Sequence, residues 1–341
     1  MREAFAVQAE GCAAMGSPFT AALCTLLGER LDRSTATGRR VLDWPGDGRP
    51  SADSVPLRLC GALHALVLRG DKELFATYPP RADAPTPAVI LDAIERHDRF
   101  IHAFLDSPPQ TNETGRAGAM WPILMRIVAE TALPLRLLEV GASAGLNLRM
   151  DGFAYELGGI ACGDPHGPLR IAPEWRGDAV DARDVTIASR EGCDIAPVDI
   201  ADPDEALRLR AYCWPDQAVR RERLDAAIAL ATTVQATVVE QDALGFLAQR
   251  LAEPARGVCT VVYSTVAWQY LPPEQRAEGE AIIETAGARA GCDAPIAWAR
   301  MEWDDNPPGA GLTLRLWPGD GETIDCGRAD FHGRWVDWRA G

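Results

Sequence analysis

The chain has 341 residues, 47% hydrophobic and 24% charged, a composition that indicates a globular protein and excludes a fibrous or disordered one. Its 34 basic and 49 acidic residues give a formal net charge of −15, which argues against a nucleic-acid partner because a phosphate backbone requires basic surface. No apolar run reaches the roughly 18 residues of a membrane span, and the N-terminus lacks the basic-then-apolar order of a secretory signal. We therefore expect a cytoplasmic protein without a membrane partner. Composition leaves the oligomeric state open.

Cysteine and histidine are scattered along the chain. The nine cysteines include no C-x-x-C pair, and the five histidines are equally dispersed. This scatter favours a reducing compartment over a disulfide framework, and it predicts no metal site.

The first 130 residues predict helices. Apolar residues recur there at three- and four-residue spacing, and prolines 18, 56 and 87 stand at first-turn positions. The predicted helices are 2–14, 18–31, 56–69, 87–105 and 116–132. We therefore expect an N-terminal helical region over residues 1–132 that covers a substrate cleft.

The pattern changes after Pro134, where short apolar runs alternate with helical stretches. The predicted strands are 135–140, 236–241, 258–264 and 294–303, and the predicted helices are 216–234, 243–252 and 272–291. Such alternation is typical of βαβ units. Residues 133–341 are therefore expected to form an α/β domain with a doubly wound, mostly parallel sheet. The runs 311–317 and 334–338 suggest a closing antiparallel hairpin.

The most informative stretch is LRLLEVGASAGLNL (135–148). A buried strand ends at Glu139 and Val140, and the turn from Gly141 to Gly145 leads into a helix expected to start near Leu146. Unpaired N–H groups and the positive dipole end of such a helix favour a negative or polar ligand. Ligands of open α/β sheets bind at strand ends of this kind. The turn is therefore a candidate binding site.

The turn has two functional interpretations. As G-x-S-x-G it is a nucleophile elbow, in which Ser143 attacks an acyl carbon with His332 as base and Asp242 or Asp293 as acid. That fold requires an oxyanion loop of HGGG type, which residues 1–130 lack, and it leaves Glu139 without a role. As E-x-G-x-S-x-G the turn resembles the first motif of class I methyltransferases. A third possibility is a turn that needs glycine only for packing, in a non-catalytic protein that binds a ligand or a partner.

The methyltransferase resemblance implies S-adenosylmethionine as cofactor and assigns roles to particular residues. The residues implied to hold the cofactor are Glu139, Gly141, Ala142, Ser143, Gly145, Asn147, Asp194 and Asp242. Asp242 follows VVEQ (238–241) and is implied to meet the adenine amino group, and Asp194 in REGCDIAPVD (190–199) is implied to hold the ribose. Asp194 is much farther from the turn than the usual spacing of about 20 residues. Either residues 154–185 are therefore an insertion, or Glu156 or Asp164 holds the ribose instead.

Two further segments complete the candidate site. YSTVAWQYL (263–271) resembles the fourth strand and exit loop of the methyltransferase fold, which faces the transferring methyl group. The candidate catalytic residues are Tyr263, Ser264, Trp268, Gln269 and, where a base is required, His332. The polar run QTNETGR (110–116) is either a helix cap and loop or a lid that directs side chains at a substrate. The residues of this lid are Gln110, Asn112, Glu113 and Arg116. Arg220, Arg221 and Arg223 form a basic patch that either orients an anionic substrate or is a solvated face.

Nine runs along the chain are similar to the signature stretches of one family. They are PPQTNETGR (108–116), EVGASAGLNL (139–148), GDP (163–165), REGCDIAPVD (190–199), RAYCWPDQ (210–217), YSTVAWQYL (263–271), WARMEW (298–303), WPG (317–319) and FHGRWVDW (331–338). They resemble the domain of unknown function 2332 family over roughly residues 10–340. The resemblance implies a methyltransferase-like fold and no settled activity. Together with the turn at 139–145, which resembles the first methyltransferase motif, this fold leads us to expect an S-adenosylmethionine-dependent methyltransferase that acts on an unknown small molecule.

Overall fold

A computed structural model describes residues 1–340 of the chain. The helices are α1 (Arg2–Ala14), α2 (Pro18–Arg30), α3 (Ala36–Leu42), α4 (Val55–Leu68), α5 (Lys72–Ala76), α6 (Pro87–Arg96), α7 (Asp98–Phe104), α8 (Ala117–Thr131), α9 (Pro203–Ala211), α10 (Ala218–Ala231), α11 (Ala243–Arg250) and α12 (Pro273–Gly287). The strands are β1 (Leu135–Val140), β2 (Ala154–Leu157), β3 (Ile160–Gly163), β4 (Arg170–Ile171), β5 (Glu174–Gly177), β6 (Ile187–Asp194), β7 (Thr237–Glu240), β8 (Cys259–Thr265), β9 (Ile296–Glu302), β10 (Ala310–Trp317), β11 (Ile324–Ala329) and β12 (Trp335–Trp338).

The chain divides into two compact units. The first comprises residues 1–111 and 200–222, and the second comprises residues 112–199 with the rest of the chain from residue 223. These units differ from the two regions expected from the sequence, because α8 groups with the large sheet and α9 groups with the N-terminal helices. The expected domains, 1–132 and 133–341, stay a prediction.

The first unit is helical and has its own apolar core. Phe19, Leu27, Leu59 and Leu63 are buried in it. The predicted helices are present, except that 87–105 is divided at His97, whose backbone angles (φ −112°, ψ 23°) end α6. Two short helices, α3 and α5, escaped the sequence pattern. Polar caps account for them, because the Thr35 and Asp71 side chains accept hydrogen bonds from the first N–H groups of each helix.

The second unit contains a nine-stranded sheet in the order β5-β12-β11-β10-β9-β8-β1-β6-β7. The strands β7, β6, β1, β8 and β9 pair in parallel, and β9, β10, β11 and β12 pair antiparallel in succession. The expectation of an α/β fold with a mostly parallel sheet is confirmed, with mixed strand orientation over the whole sheet. The predicted strand 135–140 has the bounds of β1.

The prediction of a closing antiparallel hairpin was wrong. The runs 311–317 and 334–338 correspond to β10 and β12, but these strands do not pair with each other. The strand β11 lies between them and pairs antiparallel with both. The sequence IDCGRA of β11 carries charged or small residues at four of its six positions, so it lacks the apolar run that revealed its neighbours.

The face of the sheet formed by Leu138 and Val140 is covered by apolar residues of two helices. Phe246 and Leu247 of α11 and Ile283 and Ala286 of α12 belong to the same buried cluster. Side chains of a strand alternate between faces, so Glu139 points to the opposite face.

The segment between β1 and β6 builds structure outside the parallel part of the large sheet. It contains the small three-stranded sheet β3-β2-β4 and the strand β5, which pairs in parallel with β12 at the edge of the large sheet. Among residues 1–340, no helix is both long and apolar enough to cross a lipid bilayer.

Candidate functional site

The candidate site lies where the central parallel strands end. Along the chain, β6 and β7 are added on one side of β1, and β8 and β9 are added on the other. The strand order therefore reverses between β1 and β8, the position at which open α/β sheets bind ligands. In register, Glu139 of β1 stands between Gly192 of β6 and Tyr263 of β8.

Glu139 is a buried carboxyl group with an uncharged hydrogen-bond partner. It is 1% exposed, and the Tyr263 hydroxyl donates a hydrogen bond of 3.0 Å to its Oε2. Burial raises the pKa of Glu139 to about 8, while the hydrogen bond from Tyr263 and the positive charge of Arg116 oppose that shift. Glu139 is therefore largely protonated at neutral pH.

Two arginines, Arg116 and Arg149, act on the pKa of Glu139 through their positive charge, and both donate hydrogen bonds to backbone carbonyls. Arg116 donates to the carbonyl oxygens of Phe331 (2.9 Å) and Thr265 (2.8 Å). Arg149 donates to those of Val234 (2.7 Å) and Gly145 (2.6 Å). Both residues thus tie loops together around the end of β1.

The backbone N–H groups of the glycine turn are used inside the protein. Gly141 and Ala142 donate to the Cys193 carbonyl, and Gly145 donates to the Ala142 carbonyl. Ser143 donates to Asp194 Oδ2 at 2.8 Å, and Leu146 donates to Asn112 Oδ1 at 2.8 Å. The donors that were expected to face a ligand therefore have protein acceptors.

The expected helix after the turn is absent, and this corrects the sequence prediction. Residues Asn147–Gly152 form a 3-10 segment that is interrupted at Arg149 (φ −109°, ψ 20°). A segment this short and irregular has no aligned stack of peptide dipoles. The argument from a helix dipole therefore does not apply to this turn.

The glycines of the turn permit close packing of neighbouring loops. A Cβ atom added at Gly141, where φ is +74°, would lie 2.4 Å from the Ala267 Cβ. A Cβ atom added at Gly145 would lie 2.7 Å from the Val238 side chain. Protein atoms therefore occupy the approaches to the turn at both glycines.

Asp194 is brought to the turn despite its distance in sequence. It ends β6 beside β1, and its carboxylate accepts the N–H groups of Ser143 (2.8 Å) and Ala196 (3.0 Å). The two alternatives lie elsewhere: Glu156 is on β2 and pairs with Arg170, and Asp164 follows β3. Of the three acids, Asp194 is the one that ends β6 and contacts the turn. The insertion over residues 154–185 and the contact with a ribose stay predictions.

Asp242 caps α11. Its Oδ1 accepts the Gly245 N–H at 2.8 Å, and the neighbouring Gln241 N–H donates to the Asp194 carbonyl. The ends of β6 and β7 are thereby joined, and Asp242 is exposed beside them. Acids therefore follow or end three adjacent strands, β1, β6 and β7.

The loop after β8 is held by Glu302, a residue that the sequence interpretation missed. Val266 has a φ of +56°, and Glu302 accepts hydrogen bonds of 3.1–3.2 Å from the N–H groups of Ala267, Trp268 and Gln269. Burial raises the pKa of Glu302, while those backbone bonds oppose the shift. The one signal in the sequence was an acid at the end of a mostly apolar strand.

The proposed catalytic residues occupy different environments in this loop. Tyr263, Ser264 and Trp268 are buried, and the Gln269 side chain accepts the Trp303 N–H at 2.8 Å. Their position at the end of β8 agrees with the sequence interpretation, whereas their catalytic roles stay a prediction.

The segment 112–116 lies against the site as well. Asn112 caps the turn through Leu146, and Glu113 Oε1 accepts the Gly115 N–H at 2.9 Å. The His332 carbonyl lies so near Gly115 that an added Cβ would stand 2.3 Å from it. Gln110 belongs to the other unit, so the four lid residues do not form one group within a unit.

The nucleophile interpretation of Ser143 stays a prediction. Ser143 has the left-handed backbone (φ +54°) that a nucleophile elbow also uses, and its buried Oγ has no hydrogen-bond partner among residues 1–340. His332 therefore does not contact it by a hydrogen bond. Within the described 340 residues, no group of three or more His, Cys, Asp or Glu side chains is placed to hold a metal ion.

Comparison with known proteins identifies the family. A search of curated proteins found no match. A family model described as "Uncharacterized protein conserved in bacteria (DUF2332)" matches residues 2–338, so the chain belongs to this family.

Proposed function

We propose that the chain is an S-adenosylmethionine-dependent methyltransferase that acts on a small molecule. One observation carries this proposal: acidic side chains stand at the ends of three adjacent parallel strands, beside the point where the strand order reverses. These are Glu139, Asp194 and Asp242. A doubly wound fold of the methyltransferase type is part of the same proposal.

The carboxylates fit the adenosyl part of the cofactor. A carboxylate can accept about four hydrogen bonds, and the contacts of Asp194 and Asp242 with backbone N–H groups leave capacity on both. Asp194 would hold the ribose hydroxyls, and Asp242 would accept from the adenine amino group. The turn offers no set of unused N–H groups, so side chains carry the recognition. When bound, S-adenosylmethionine supplies an activated methyl group.

The protein's contribution to methyl transfer is to align the two reacting groups. Positioning two reacting groups in line supplies much of the rate of such a reaction, so a dedicated base is optional. The Glu302 carboxylate fixes the loop Ala267–Gln269, and Tyr263 fixes Glu139 beneath it. Both contacts keep the end of β8 in one conformation.

Calorimetry with S-adenosylmethionine tests the proposal. We expect saturable binding to the full chain, weakened about tenfold, or about 1.4 kcal/mol, in Asp194→Asn. Asp320→Asn is the matched control, because Asp320 is an exposed aspartate in the turn after β10 that also accepts a backbone N–H. Absence of binding at millimolar ligand would refute the cofactor assignment.

A second candidate is a non-catalytic protein that binds a ligand or a partner with this fold. The observation in its favour is that protein side chains fill the strand ends: Ala267 lies against Gly141, and buried Tyr263 donates a hydrogen bond to Glu139. Thermal unfolding with adenosine and with S-adenosylmethionine separates the candidates. A rise in Tm with adenosine and none with S-adenosylmethionine would favour the second.

A further inference from the structure

Three buried polar atoms near the glycine turn have no hydrogen-bond partner in the part of the chain that the structure describes, residues 1–340. They are Ser143 Oγ, Asn147 Oδ1 and the Nε of Arg223. Ser143 is 4% exposed and Asn147 is 1% exposed. A buried polar atom without a partner is costly, and native proteins keep few of them. Three of them around one segment therefore require an explanation.

The segment Asn112–Glu113 joins these residues. The Asn147 Nδ2 donates to the Glu113 carbonyl at 3.3 Å, and an Arg223 terminal nitrogen lies 3.7 Å from Glu113 Oε1. Ser143 is in the turn that Asn112 caps through Leu146. Asn147 and Arg223 thus each contact Glu113 with one end of the side chain and leave another polar atom unused.

The chemistry of the unused atoms defines a ligand. Arg223 Nε can only donate, Asn147 Oδ1 can only accept, and the Ser143 hydroxyl can do either. A ligand that satisfies all three carries an acceptor group beside a donor group. The ion pair of Arg223 with Glu113 is longer than a hydrogen bond, so the guanidinium retains the capacity to bind an anion.

We propose that Ser143, Asn147 and Arg223 form a subsite that binds a small hydroxy acid beside the glycine turn. The ligand's carboxylate accepts from Arg223 Nε and the Ser143 hydroxyl, and its hydroxyl donates to Asn147 Oδ1. In the proposed function this ligand is the methyl acceptor, and that identification rests on the proposed function. The binding itself does not depend on S-adenosylmethionine.

Two matched probes test the subsite on the full chain in the absence of cofactor. Malate carries the hydroxyl group, and succinate is the same dicarboxylate without it. By calorimetry we expect malate to bind about tenfold more tightly than succinate, because a site that hydrogen-bonds a hydroxyl disfavours the analogue that lacks it. Equal affinity, or no binding of either acid at millimolar concentration, would overturn the proposal.

Variants assign the two contacts. Asn147→Ala should abolish the preference for malate while succinate binding persists, and Arg223→Gln should weaken both acids about tenfold. Arg289→Gln is the charge-matched control, because Arg289 donates to carbonyls of Leu251 and Ala252, remote in sequence from the turn. Thermal unfolding of each variant establishes that it is folded, and Arg223→Lys, which retains the charge, provides a second test if Arg223→Gln is unstable.

The outcomes separate this inference from the proposed function. Malate binding without S-adenosylmethionine binding supports the subsite and refutes the methyltransferase. S-adenosylmethionine binding together with equal affinity for malate and succinate supports the cofactor assignment and refutes the subsite. Unchanged malate affinity in both Asn147→Ala and Arg223→Gln would also overturn the subsite.

Discussion

The turns after β1 and β8 are both held by a carboxylate, but the carboxylate is used to a different extent in each. Each contains a non-glycine residue in the left-handed region, Ser143 at φ +54° and Val266 at φ +56°. Each is also bound by the carboxylate that ends a neighbouring strand, Asp194 of β6 for the first turn and Glu302 of β9 for the second.

The difference lies in how completely the carboxylate is used. Glu302 is 9% exposed and accepts from three successive N–H groups, so it is a structural clamp. Asp194 is partly exposed and accepts one N–H from the turn. The carboxylate at the β1 end therefore retains capacity to accept a hydrogen bond from a ligand, whereas the carboxylate at the β8 end is used by the chain itself.

Glu139, which stands on the strand between the two turns, gives the largest expected effect. Its folded pKa of about 8 exceeds the ordinary value of 4.5. The folded state therefore holds a proton that the unfolded state has lost, and stability falls as the pH rises from about 4.5 to about 8, by up to about 1.4 kcal/mol per pH unit. Glu139→Gln should remove this slope, so that the variant gains several kcal/mol over the wild type at pH 8.

Urea unfolding between pH 5 and pH 8.5 checks this. The difference between variant and wild type matters, because burial also lowers the pKa of His64 to about 4 and adds its own dependence below pH 6.5. Glu240→Gln, at an exposed position that ends β7, should leave the slope unchanged. If the free energy of unfolding changed with pH equally in Glu139→Gln and in the wild type, the result would contradict a buried, protonated Glu139.

Removal of the clamp is expected to have the next largest effect. Glu302→Ala leaves three N–H groups without their acceptor and should cost about 3 kcal/mol in the free energy of unfolding. Denaturant unfolding at pH 7 measures it, with Glu322→Ala at an exposed position as control. A loss below about 1 kcal/mol would show that water replaces the carboxylate and that the clamp is not structural.

The glycine turn can be tested by a pair of glycines with similar backbone angles. Gly141 has φ +74° with Ala267 2.4 Å from an added Cβ, and Gly257 has φ +78° with nothing within 4 Å. Gly257→Ala should cost about 1 kcal/mol for the left-handed backbone alone. Gly141→Ala should cost about 2 kcal/mol or more, because it adds the steric clash. Equal losses by thermal unfolding would mean that the two turns are not packed together.

Asp194 should give the smallest change in stability. Asp194→Ala removes an acceptor from the N–H groups of buried Ser143 and exposed Ala196. Because Asp194 itself is partly exposed, water can replace the carboxylate, and the loss should be about 1 kcal/mol. Asp320→Ala removes a similar exposed contact and should cost the same or less. A loss as large as that of Glu302→Ala would place Asp194 among the structural clamps and remove the contrast between the two turns.

Much of the fold was predictable because its elements have strong local signals. Apolar periodicity and first-turn prolines identified the N-terminal helices, and short apolar runs identified β1, β7, β8 and β9. The strand β11 and the strands β2 to β5 were not predictable in this way, because short, half-exposed strands with charged residues have no distinctive pattern. The pairing of β12 with both β5 and β11 depends on contacts between distant residues.

The location of the candidate site was predictable from the sequence, whereas the contacts between its side chains were not. The glycine turn and the end of β8 were identified, and Asp194 was chosen in spite of its distance of 51 residues from Ser143. The roles of Glu302 and Arg223 depend on which side chains meet across strands. The dipole argument failed because Leu146 is followed by an irregular 3-10 segment, a backbone detail that residue types do not specify.

The pairing of β5 with β12 constrains the order in which this protein can be completed on the ribosome. The strand β5 is synthesised about 160 residues before its partner in the register Glu174 to Trp335. Contacts between such distant segments form late, because the intervening chain must first be made and ordered. The strand β5 therefore stays unpaired with the large sheet while the central strands assemble, and this edge of the sheet is complete only after β12 has been synthesised.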